Sequence, residues 1–203
     1  MTVVGLTGNF GMGKSTVAKM FRQLGAMTID TDEIVRALLD DPGTVYEIRK
    51  AFGDTVVKDG VVDRKALAEL VFKEPPLRIL IEDIIHPRVF TEVDRIISSM
   101  PEGERPSVVI VEAPVLFERG YQNRFDAIVT VFTSEETAIR RLKDKGVSED
   151  EAMRRLGSQF PAGMKTGKSD FVVDNGGDEE ETRRQVDLIY QELTARGRRR
   201  GNN

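Results

Sequence analysis

Residues near the N-terminus have the types and the spacing of a phosphate-binding loop. Residues 8–16 read Gly-Asn-Phe-Gly-Met-Gly-Lys-Ser-Thr and satisfy the pattern G-x-x-x-x-G-K-[ST]. The glycines permit positive φ and carry no Cβ, so a phosphate can approach the backbone closely. Successive N–H groups at the start of a helix attract an anion, and the helix dipole adds to that attraction. This stretch therefore predicts a nucleotide phosphate site.

Each residue of the loop has an expected role. Lys14 is expected to reach the β and γ phosphates of a nucleotide, and Ser15 to offer its hydroxyl to Mg²⁺. Residues 2–7 read as a buried strand, and residues 15–24 as a helix closed by Gly25. This strand–loop–helix context disfavours a glycine-rich turn that matches the pattern by chance. The predicted nucleotide-binding residues of the loop are Gly8, Gly11, Met12, Gly13, Lys14, Ser15 and Thr16.

Two aspartates follow the second predicted strand, residues 26–30, where the chain turns into a helix. Asp30 and Asp32 are two positions apart, so an extended backbone would point both carboxylates the same way. Carboxylates at the edge of an open α/β sheet can hold Mg²⁺-bound waters or accept a proton from an attacking hydroxyl. Alternatively, Asp30 is a polar strand end and Asp32 an N-terminal helix residue that interacts favourably with the dipole. Spacing alone leaves both interpretations open.

A third carboxylate ends the apolar run of residues 107–111. Such a run indicates a buried parallel strand, and Glu112 would lie at its carboxyl end, where it can hold an Mg²⁺-bound water. The alternative is an exposed strand end, which the phosphate motif disfavours. The further predicted elements are strands at residues 125–132 and 170–175, a closing helix at 178–196 and a solvated tail at 198–203.

Residues 138–168 are basic, with eight Lys or Arg against four Asp or Glu in a chain whose net charge is −4. They are predicted to contain a second helix at residues 148–156, with Ser148 as its cap, and a loop at residues 161–167. A basic helical hairpin beside a phosphate loop suggests a lid that closes on the triphosphate, supplies Arg and excludes water. The alternative is an ordinary charged hairpin on the surface.

Residues 43–106 are predicted to form a helical insertion. Asp41-Pro42-Gly43 is expected to end the preceding helix, Asp59-Gly60 to turn a small hairpin, and His86-Pro87 to mark a boundary or a kink between two helices. The Arg and Lys residues of this segment could bind an anionic substrate or could simply be a solvated helical face.

Composition narrows the possible classes of protein. The 203 residues include no Cys and one His, which excludes disulfides, Cys-based metal sites and His clusters, so any metal is expected to be Mg²⁺ held by oxygens. No apolar run approaches 18 residues, and the chain enters a strand at once, so we expect neither a membrane span nor a secretory signal. The negative net charge argues against general nucleic-acid binding.

With these motifs in order, the sequence resembles the bacterial dephospho-CoA kinases over nearly its whole length. The matching stretches are residues 5–8 with 14–16, 29–32, 85–89, 112–118, Arg155 with Gln159, and 170–175. The resemblance implies a P-loop NTPase fold of the nucleoside-monophosphate-kinase type, with three α/β/α layers and a parallel sheet. It also implies a nucleotide-binding core (residues 1–42, 107–137 and 169–203), a helical CoA-binding insertion (43–106) and a lid (138–168).

The implied reaction is transfer of the γ-phosphoryl group of ATP to the ribose 3′-hydroxyl of dephospho-CoA, the last step of coenzyme A synthesis. The substrates would be ATP and dephospho-CoA, with Mg²⁺ as cofactor, in the cytoplasm, with neither nucleic acid nor membrane as partner, and in a monomer or small homo-oligomer. The resemblance makes Asp32 the expected catalytic base, acting with Lys14, Arg141 and Arg155, and places Asn175 near the adenine. The expected acceptor-binding residues are Asp30, His86, Pro87, Arg88, Leu116, Phe117 and Glu118; Ser15 would bind the metal directly and Glu112 through a water.

Some positions depart from the family pattern. Asn9 and Phe10 replace the usual Gly-Ile, and Met12 replaces a small residue, all at variable positions of the loop. Lys145 stands where the family usually has Arg, which leaves Arg141 and Arg155 as the better candidates for contacting the transferring phosphate, because Lys lacks the bidentate fork of Arg.

Three rival functions follow from the same residues. Another small-molecule kinase of this fold, of the nucleoside-monophosphate or shikimate type, would differ in its acceptor. A GTP-binding switch is disfavoured because Gly167, at the start of a near match to the guanine-reading N-K-x-D, lacks the amide that this motif needs. A nucleotide-binding module without catalysis is the third rival, since fold does not determine function.

Overall fold

The computed structural model describes residues 1–200, apart from the side chains of residues 75, 199 and 200. These residues form two compact units, one of Met1–Ile29 with the chain from Gly103 onward, the other of Asp30–Glu102. The strands are β1 (Thr2–Thr7), β2 (Met27–Asp30), β3 (Val57–Lys58), β4 (Val61–Val62), β5 (Val108–Glu112), β6 (Ala127–Phe132) and β7 (Phe171–Asp174). The helices are α1 (Lys14–Gln23), α2 (Thr31–Leu38), α3 (Pro42–Phe52), α4 (Arg64–Lys73), α5 (Pro75–Ser98), α6 (Glu135–Asp144), α7 (Glu149–Gly157), α8 (Ala162–Lys168) and α9 (Glu179–Arg200).

A five-stranded sheet in the order β2-β5-β1-β6-β7 is the framework of the first unit. β1 pairs in parallel with β5 and β6, and β6 pairs in parallel with β7. The register sets Leu6 opposite Glu112, so the loop that follows β1 and the last residue of β5 lie at the same edge. This edge is where open parallel sheets bind ligands. The expected α/β fold with a parallel sheet is confirmed.

The two faces of the sheet are covered differently because side chains alternate along each strand. On one face, buried valines and leucines of the strands pack against α1 and α9, with Phe21 and Leu193 fully buried. On the other face, Ile128 packs with Leu116 and Phe117, which follow β5. The sheet therefore has apolar cover on both sides, as the almost wholly apolar sequence of β5 predicts.

Within the second unit, Asp41 overturns one sequence expectation. The residues Asp41-Pro42-Gly43 begin α3 instead of only ending α2, because the Asp41 carboxylate accepts a hydrogen bond from the Thr44 N–H at 2.8 Å and proline is favourable at the first helical position. That backbone hydrogen bond also lowers the pKa of Asp41. The predicted hairpin is confirmed, with Asp59 and Gly60 both at positive φ.

Of the two expectations for His86-Pro87, the helix boundary is absent, since α5 runs through it as one helix, and the kink stays a prediction. A proline inside a helix removes one backbone donor and crowds the preceding turn. Pro87 offers no N–H to the Asp83 carbonyl four residues earlier, and the Arg88 guanidinium donates to the neighbouring Ile84 carbonyl at 2.7 Å. A proline in the sequence therefore did not end this helix.

Two expectations near the C-terminus also change. Residues 161–167, predicted to be a loop, lie largely in α8, where Lys165 is buried. The closing helix, expected to end at residue 196, continues to residue 200 and so includes residues 198–200 of the expected solvated tail; residues 201–203 of that tail lie outside the described residues. The helices expected at residues 15–24 and 148–156 are confirmed within a residue, and Ser148 accepts from the Glu151 N–H as predicted.

Over the described part of the chain, none of the helices combines the length and the apolar character needed to cross a membrane.

Gly5 is expected to be intolerant of a side chain, because a Cβ there would lie 2.5 Å from Leu116 Cδ1 and 2.9 Å from Phe125 Cδ2. Gly5→Ala should destabilise the fold by about 1–3 kcal/mol through overpacking, measured as a lower urea midpoint at an unchanged m-value. Gly163→Ala in α8 is the matched control, because its Cβ would meet no atom within 4 Å. It should be neutral or stabilise by up to about 1 kcal/mol. Equal midpoints for the two variants would contradict this packing.

Candidate active site

The phosphate loop has the backbone that its sequence predicts. Gly8, Gly11 and Gly13 have φ values of 144°, 82° and 92°. At Gly8 a Cβ would also lie 2.5 Å from the Val131 carbonyl oxygen, so glycine is required there for space as well as for conformation. Gly13 is the N-cap of α1 and contributes no side-chain hydrogen bond to the first turn. The helix N-terminus is therefore presented to a ligand by backbone N–H groups, which suit an anion.

Lys14 and its neighbours lie where the motif places them. The Lys14 Nζ donates to the Gly8 carbonyl at 2.8 Å and to the Asn9 carbonyl at 3.4 Å, so the side chain folds back along the loop. Ser15 and Thr16 are exposed in the first turn of α1. A flexible ammonium and a hydroxyl are thus available at the mouth of the loop for phosphate and for a hard metal ion.

Two arginines of the basic segment lie beside the loop. Arg141 Nη1 is 3.9 Å from the position that a Cβ on Gly13 would occupy. The Arg155 guanidinium lies over the Phe10 ring, 4.7 Å from its centroid, and Arg155 Nη2 is 2.5 Å from Glu151 Oε1. Both arginines therefore bring positive charge close to where phosphates are expected.

Asn175 contacts the phosphate loop directly. Its Nδ2 donates to the Met12 carbonyl at 2.9 Å, and its Oδ1 accepts from the Thr182 hydroxyl at 3.3 Å. The residue is only 8% exposed, so both ends of its amide are used to hold the loop. The expected contact with adenine stays a prediction. Thr182 was not identified from the sequence, because nothing local marks a helix threonine as the partner of a distant amide.

The possible ligands for Mg²⁺ are oxygens of Ser15 and Glu112. Glu112 ends β5 opposite Leu6, and it is largely buried. Among residues 1–200 no cluster of three or more His, Cys, Asp or Glu side chains is arranged to hold a metal. A hydroxyl and one carboxylate suit an ion whose other ligands are phosphate oxygens and water, which is the usual Mg²⁺ arrangement.

Asp30 and Asp32 differ in their surroundings within the second unit. The Asp30 Oδ1 accepts a hydrogen bond from the Asp32 N–H at 2.8 Å and caps α2. Asp32 is exposed in the first turn of that helix. The expectation that an extended backbone aligns the two carboxylates is wrong, because the helix already begins at Thr31. The alternative interpretation is confirmed, since Asp30 ends β2 and Asp32 lies in the first turn of α2, where it is the more accessible of the two carboxylates.

The expected acceptor-binding residues belong to both units. His86, Pro87 and Arg88 lie in α5 of the second unit, where His86 is half-buried. Leu116 and Phe117 belong to the first unit and are buried in its apolar cluster. Their roles toward an acceptor stay predictions.

Glu118 faces into the protein. Its Oε1 accepts from the Phe160 N–H at 2.9 Å and lies 2.6 Å from the Lys165 Nζ. Lys165 was counted only as part of a basic segment, and its burial could not be predicted from the sequence because residues around it were expected to be a loop. In the sequence, the one sign that this region matters was Gln159, which is among the positions that match the family.

Comparisons with known proteins agree with this geometry. The sequence model of the family described as CoaE, dephospho-CoA kinase, matches residues 2–181. The dephospho-CoA kinase of Aquifex aeolicus is 38% identical over 196 residues, which are 96% of this chain and 98% of that protein.

Solved structures agree as well. The protein TT1252 from Thermus thermophilus superposes with a TM-score of 0.82 at 31% identity, covering 95% of this chain and 97% of its own. The dephospho-CoA kinase from Campylobacter jejuni superposes with a TM-score of 0.68 at 25% identity, covering 99% and 98%. A family match over residues 2–181, a relative 38% identical over 96% of the chain and a phosphate loop in its expected conformation lead to one conclusion: this chain belongs to the dephospho-CoA kinase family.

Proposed function

We propose that this protein transfers the γ-phosphoryl group of ATP to the ribose 3′-hydroxyl of dephospho-CoA, which yields coenzyme A and ADP. The observation that carries the proposal is the glycine-lined anion site at the start of α1, in a chain that belongs to the dephospho-CoA kinase family. In this proposal residues 43–106 bind the acceptor, residues 138–168 act as a lid, and the enzyme works in the cytoplasm as a monomer or small homo-oligomer.

The P-loop and its neighbouring cations would stabilise the transferring phosphoryl group. Its charge is spread over three oxygens in the transition state, so donors fixed in advance are the main catalytic resource. We assign this task to the backbone N–H groups of residues 11–16, except those of Met12 and Thr16, which donate to the Asn9 and Gly13 carbonyls. Lys14, Arg141 and Arg155 would share it. The position of Arg141 near Gly13 and the contact of Arg155 with the Phe10 ring support this assignment. Asn175 would hold the loop and lie near the adenine.

Asp32 is assigned as the base that accepts the proton of the acceptor hydroxyl. The exposed carboxylate lies two residues beyond the carboxyl end of β2, and Asp30 fixes its backbone through the capping hydrogen bond. A carboxylate on the first turn of a helix also interacts favourably with the helix dipole. Carboxylates are among the groups that act as general bases. Asp30 therefore acts on the acceptor side mainly by positioning Asp32.

Mg²⁺ would be held by the Ser15 hydroxyl, with Glu112 acting through a bound water. When bound, the ion would neutralise charge on the β and γ phosphates. The acceptor itself would be held by His86, Pro87 and Arg88 of α5 and by the segment Leu116–Glu118. The buried Leu116 and Phe117 would contribute by shaping this segment, since little of either side chain is exposed.

The proposal is tested by measuring ADP release from Mg-ATP with dephospho-CoA, with nucleoside monophosphates and with shikimate, and by identifying the product by mass. Turnover that depends on dephospho-CoA and yields coenzyme A is the expected result. ADP formation with another acceptor alone would support the assignment as a kinase but contradict dephospho-CoA as the acceptor. ATP binding without transfer to any acceptor would support a non-catalytic module, and a preference for GTP would revive the switch.

Lys14→Ala should abolish most turnover while leaving the fold intact, because it removes the ammonium that the Gly8 and Asn9 carbonyls hold at the loop. We expect kcat to fall about 100- to 1,000-fold, as for loss of one fixed transition-state donor, with an unchanged circular dichroism spectrum. Lys19→Ala, which alters an exposed lysine on the same helix, is the control and should keep normal turnover. Equal activity of the two variants would remove the P-loop assignment.

Asp32→Asn should lower kcat about 100- to 10,000-fold, the usual range for a general base. The KM for ATP should change little, because the carboxylate acts on the acceptor and not on the nucleotide. Glu33→Gln, at the next exposed position of α2, should behave like the unmodified enzyme. Near-normal kcat for Asp32→Asn with normal ATP binding would exclude this base.

A further inference from the structure

The phosphate loop is hydrogen-bonded to the connection between α7 and α8 at two positions where it departs from the family pattern. The Phe10 N–H donates to Gln159 Oε1 at 2.8 Å, and Asn9 Nδ2 donates to the Phe160 carbonyl at 2.9 Å. We refer to Gln159 and Phe160 as the clasp. The second of these bonds exists only because Asn9 has a side chain where a glycine is usual. The Phe10 peptide and the Asn9 side chain are therefore both held from outside the loop.

The clasp is anchored in turn by Glu118. The Phe160 N–H donates to Glu118 Oε1 at 2.9 Å, so both polar groups of the Phe160 backbone are engaged, one by Glu118 and one by Asn9. The orientation of the Glu118 carboxylate thus sets the position of a residue that contacts the phosphate loop.

Lys165 determines the orientation of that carboxylate. Its side chain is 0% exposed, and its Nζ lies 2.6 Å from Glu118 Oε1 and 3.0 Å from the Pro114 carbonyl oxygen. The other carboxylate oxygen of Glu118 is buried and has no hydrogen-bond partner among the described residues. Within that part of the chain, the Lys165 ammonium is the positive charge that pairs with the carboxylate. The Thr7 hydroxyl, at the end of β1, donates to the same Pro114 carbonyl at 3.2 Å.

Burying the Lys165 ammonium costs free energy, and a positioning role would explain why a lysine is found at this buried position. Burial lowers the pKa of Lys165, and the hydrogen bond to Glu118 only opposes that shift. Apolar residues of similar volume often replace a buried ion pair without loss of stability. An apolar pair, however, could not orient the Phe160 N–H, which needs an acceptor in a defined direction.

We infer that Lys165 is a positioning residue for the nucleotide site: it orients Glu118, which holds the clasp, which holds Asn9 and Phe10 of the phosphate loop. Lys165 contacts neither nucleotide nor acceptor in this scheme. The inference rests on the nucleotide-binding part of the proposed function. Because the Arg155 guanidinium lies over the Phe10 ring, displacement of the clasp would also displace the surface against which Arg155 is held.

The test is a double-mutant cycle in the Kd for ATP, measured by calorimetric titration at constant Mg²⁺ for the unmodified protein and for K165M, N9G and the double variant N9G/K165M. Loss of an outer partner of a site typically costs about 10- to 100-fold, and we expect K165M to weaken ATP binding by about that factor. N9G should weaken it less. The double variant should bind no more weakly than K165M, since both changes break one chain of contacts.

Lys143→Met is the matched control. It removes an ammonium from the same segment, where Lys143 Nζ pairs with Glu149 Oε2 at 2.9 Å, but both side chains of this pair are exposed. Its Kd for ATP should equal that of the unmodified protein. A second variant, E118Q/K165M, removes both buried charges and keeps an amide oxygen that can accept from the Phe160 N–H. This pair should recover ATP binding relative to K165M.

The outcomes distinguish failure of the proposed function from failure of the positioning role of Lys165. Failure of the unmodified protein to bind ATP would overturn the proposed function itself. Normal ATP affinity of a folded K165M protein, or strictly additive effects in the cycle, would overturn the positioning role while leaving the kinase intact. If K165M does not fold, N9G and Q159A break the clasp without leaving a buried charge unpaired, and unchanged ATP affinity in both would overturn the inference.

Discussion

Presentation of unpaired backbone N–H groups to an anion is the constraint on which the first unit depends. A helix begins with donors that have no partner within the helix, and they must be satisfied by a side chain, by water or by a ligand. At α1 the cap is a glycine in the left-handed conformation, so no side chain competes with a phosphate. At α2 the Asp30 carboxylate itself accepts from one of the equivalent donors, the Asp32 N–H. The same physical need is met in one case by leaving a site open and in the other by closing it around a capping carboxylate.

Keeping the phosphate loop open requires that other residues hold it. Asn175 holds the Met12 carbonyl, Asn9 and Phe10 are held by the clasp, and Lys14 folds back on the Gly8 carbonyl. These bonds come from separate parts of the chain, the last strand and the α7–α8 connection among them. A loop rich in glycine has high conformational entropy when free, so several weak restraints are needed to keep it in one binding conformation. The buried Glu118–Lys165 pair would contribute to this restraint by holding the clasp.

The chemistry of the phosphate site was predictable because it depends on residues that are close together in the sequence. The spacing from Gly8 to Ser15 specifies a loop whose backbone geometry follows from the absence of Cβ atoms, and the structure shows the three positive φ values. The strand pattern of residues 107–112 placed Glu112 at the carboxyl end of a buried strand, and the register opposite Leu6 agrees. Caps such as Ser148 and Asp63 were also predictable, since a capping side chain bonds to an N–H only three residues away.

Interactions between residues that are distant in the sequence were not predictable, and they account for the elements that differ from the sequence predictions. Proline at position 87 was expected to mark a boundary or a kink, but α5 continues through it as one helix. The segment around Lys165 was expected to be a loop, because its two glycines and its proline argue against a helix, whereas burial against Glu118 and Pro114 compensates for them.

The sequence by itself determined the α/β class, the phosphate loop and the family, all of which depend on short-range spacing of residue types. Only the tertiary structure decided which polar residues face a ligand and which hold other residues in place. Asp30 became a cap and Glu118 became the partner of a buried lysine. The reason is that burial and hydrogen-bond partners of a side chain are set by residues far away in the chain, and a local pattern carries no record of them.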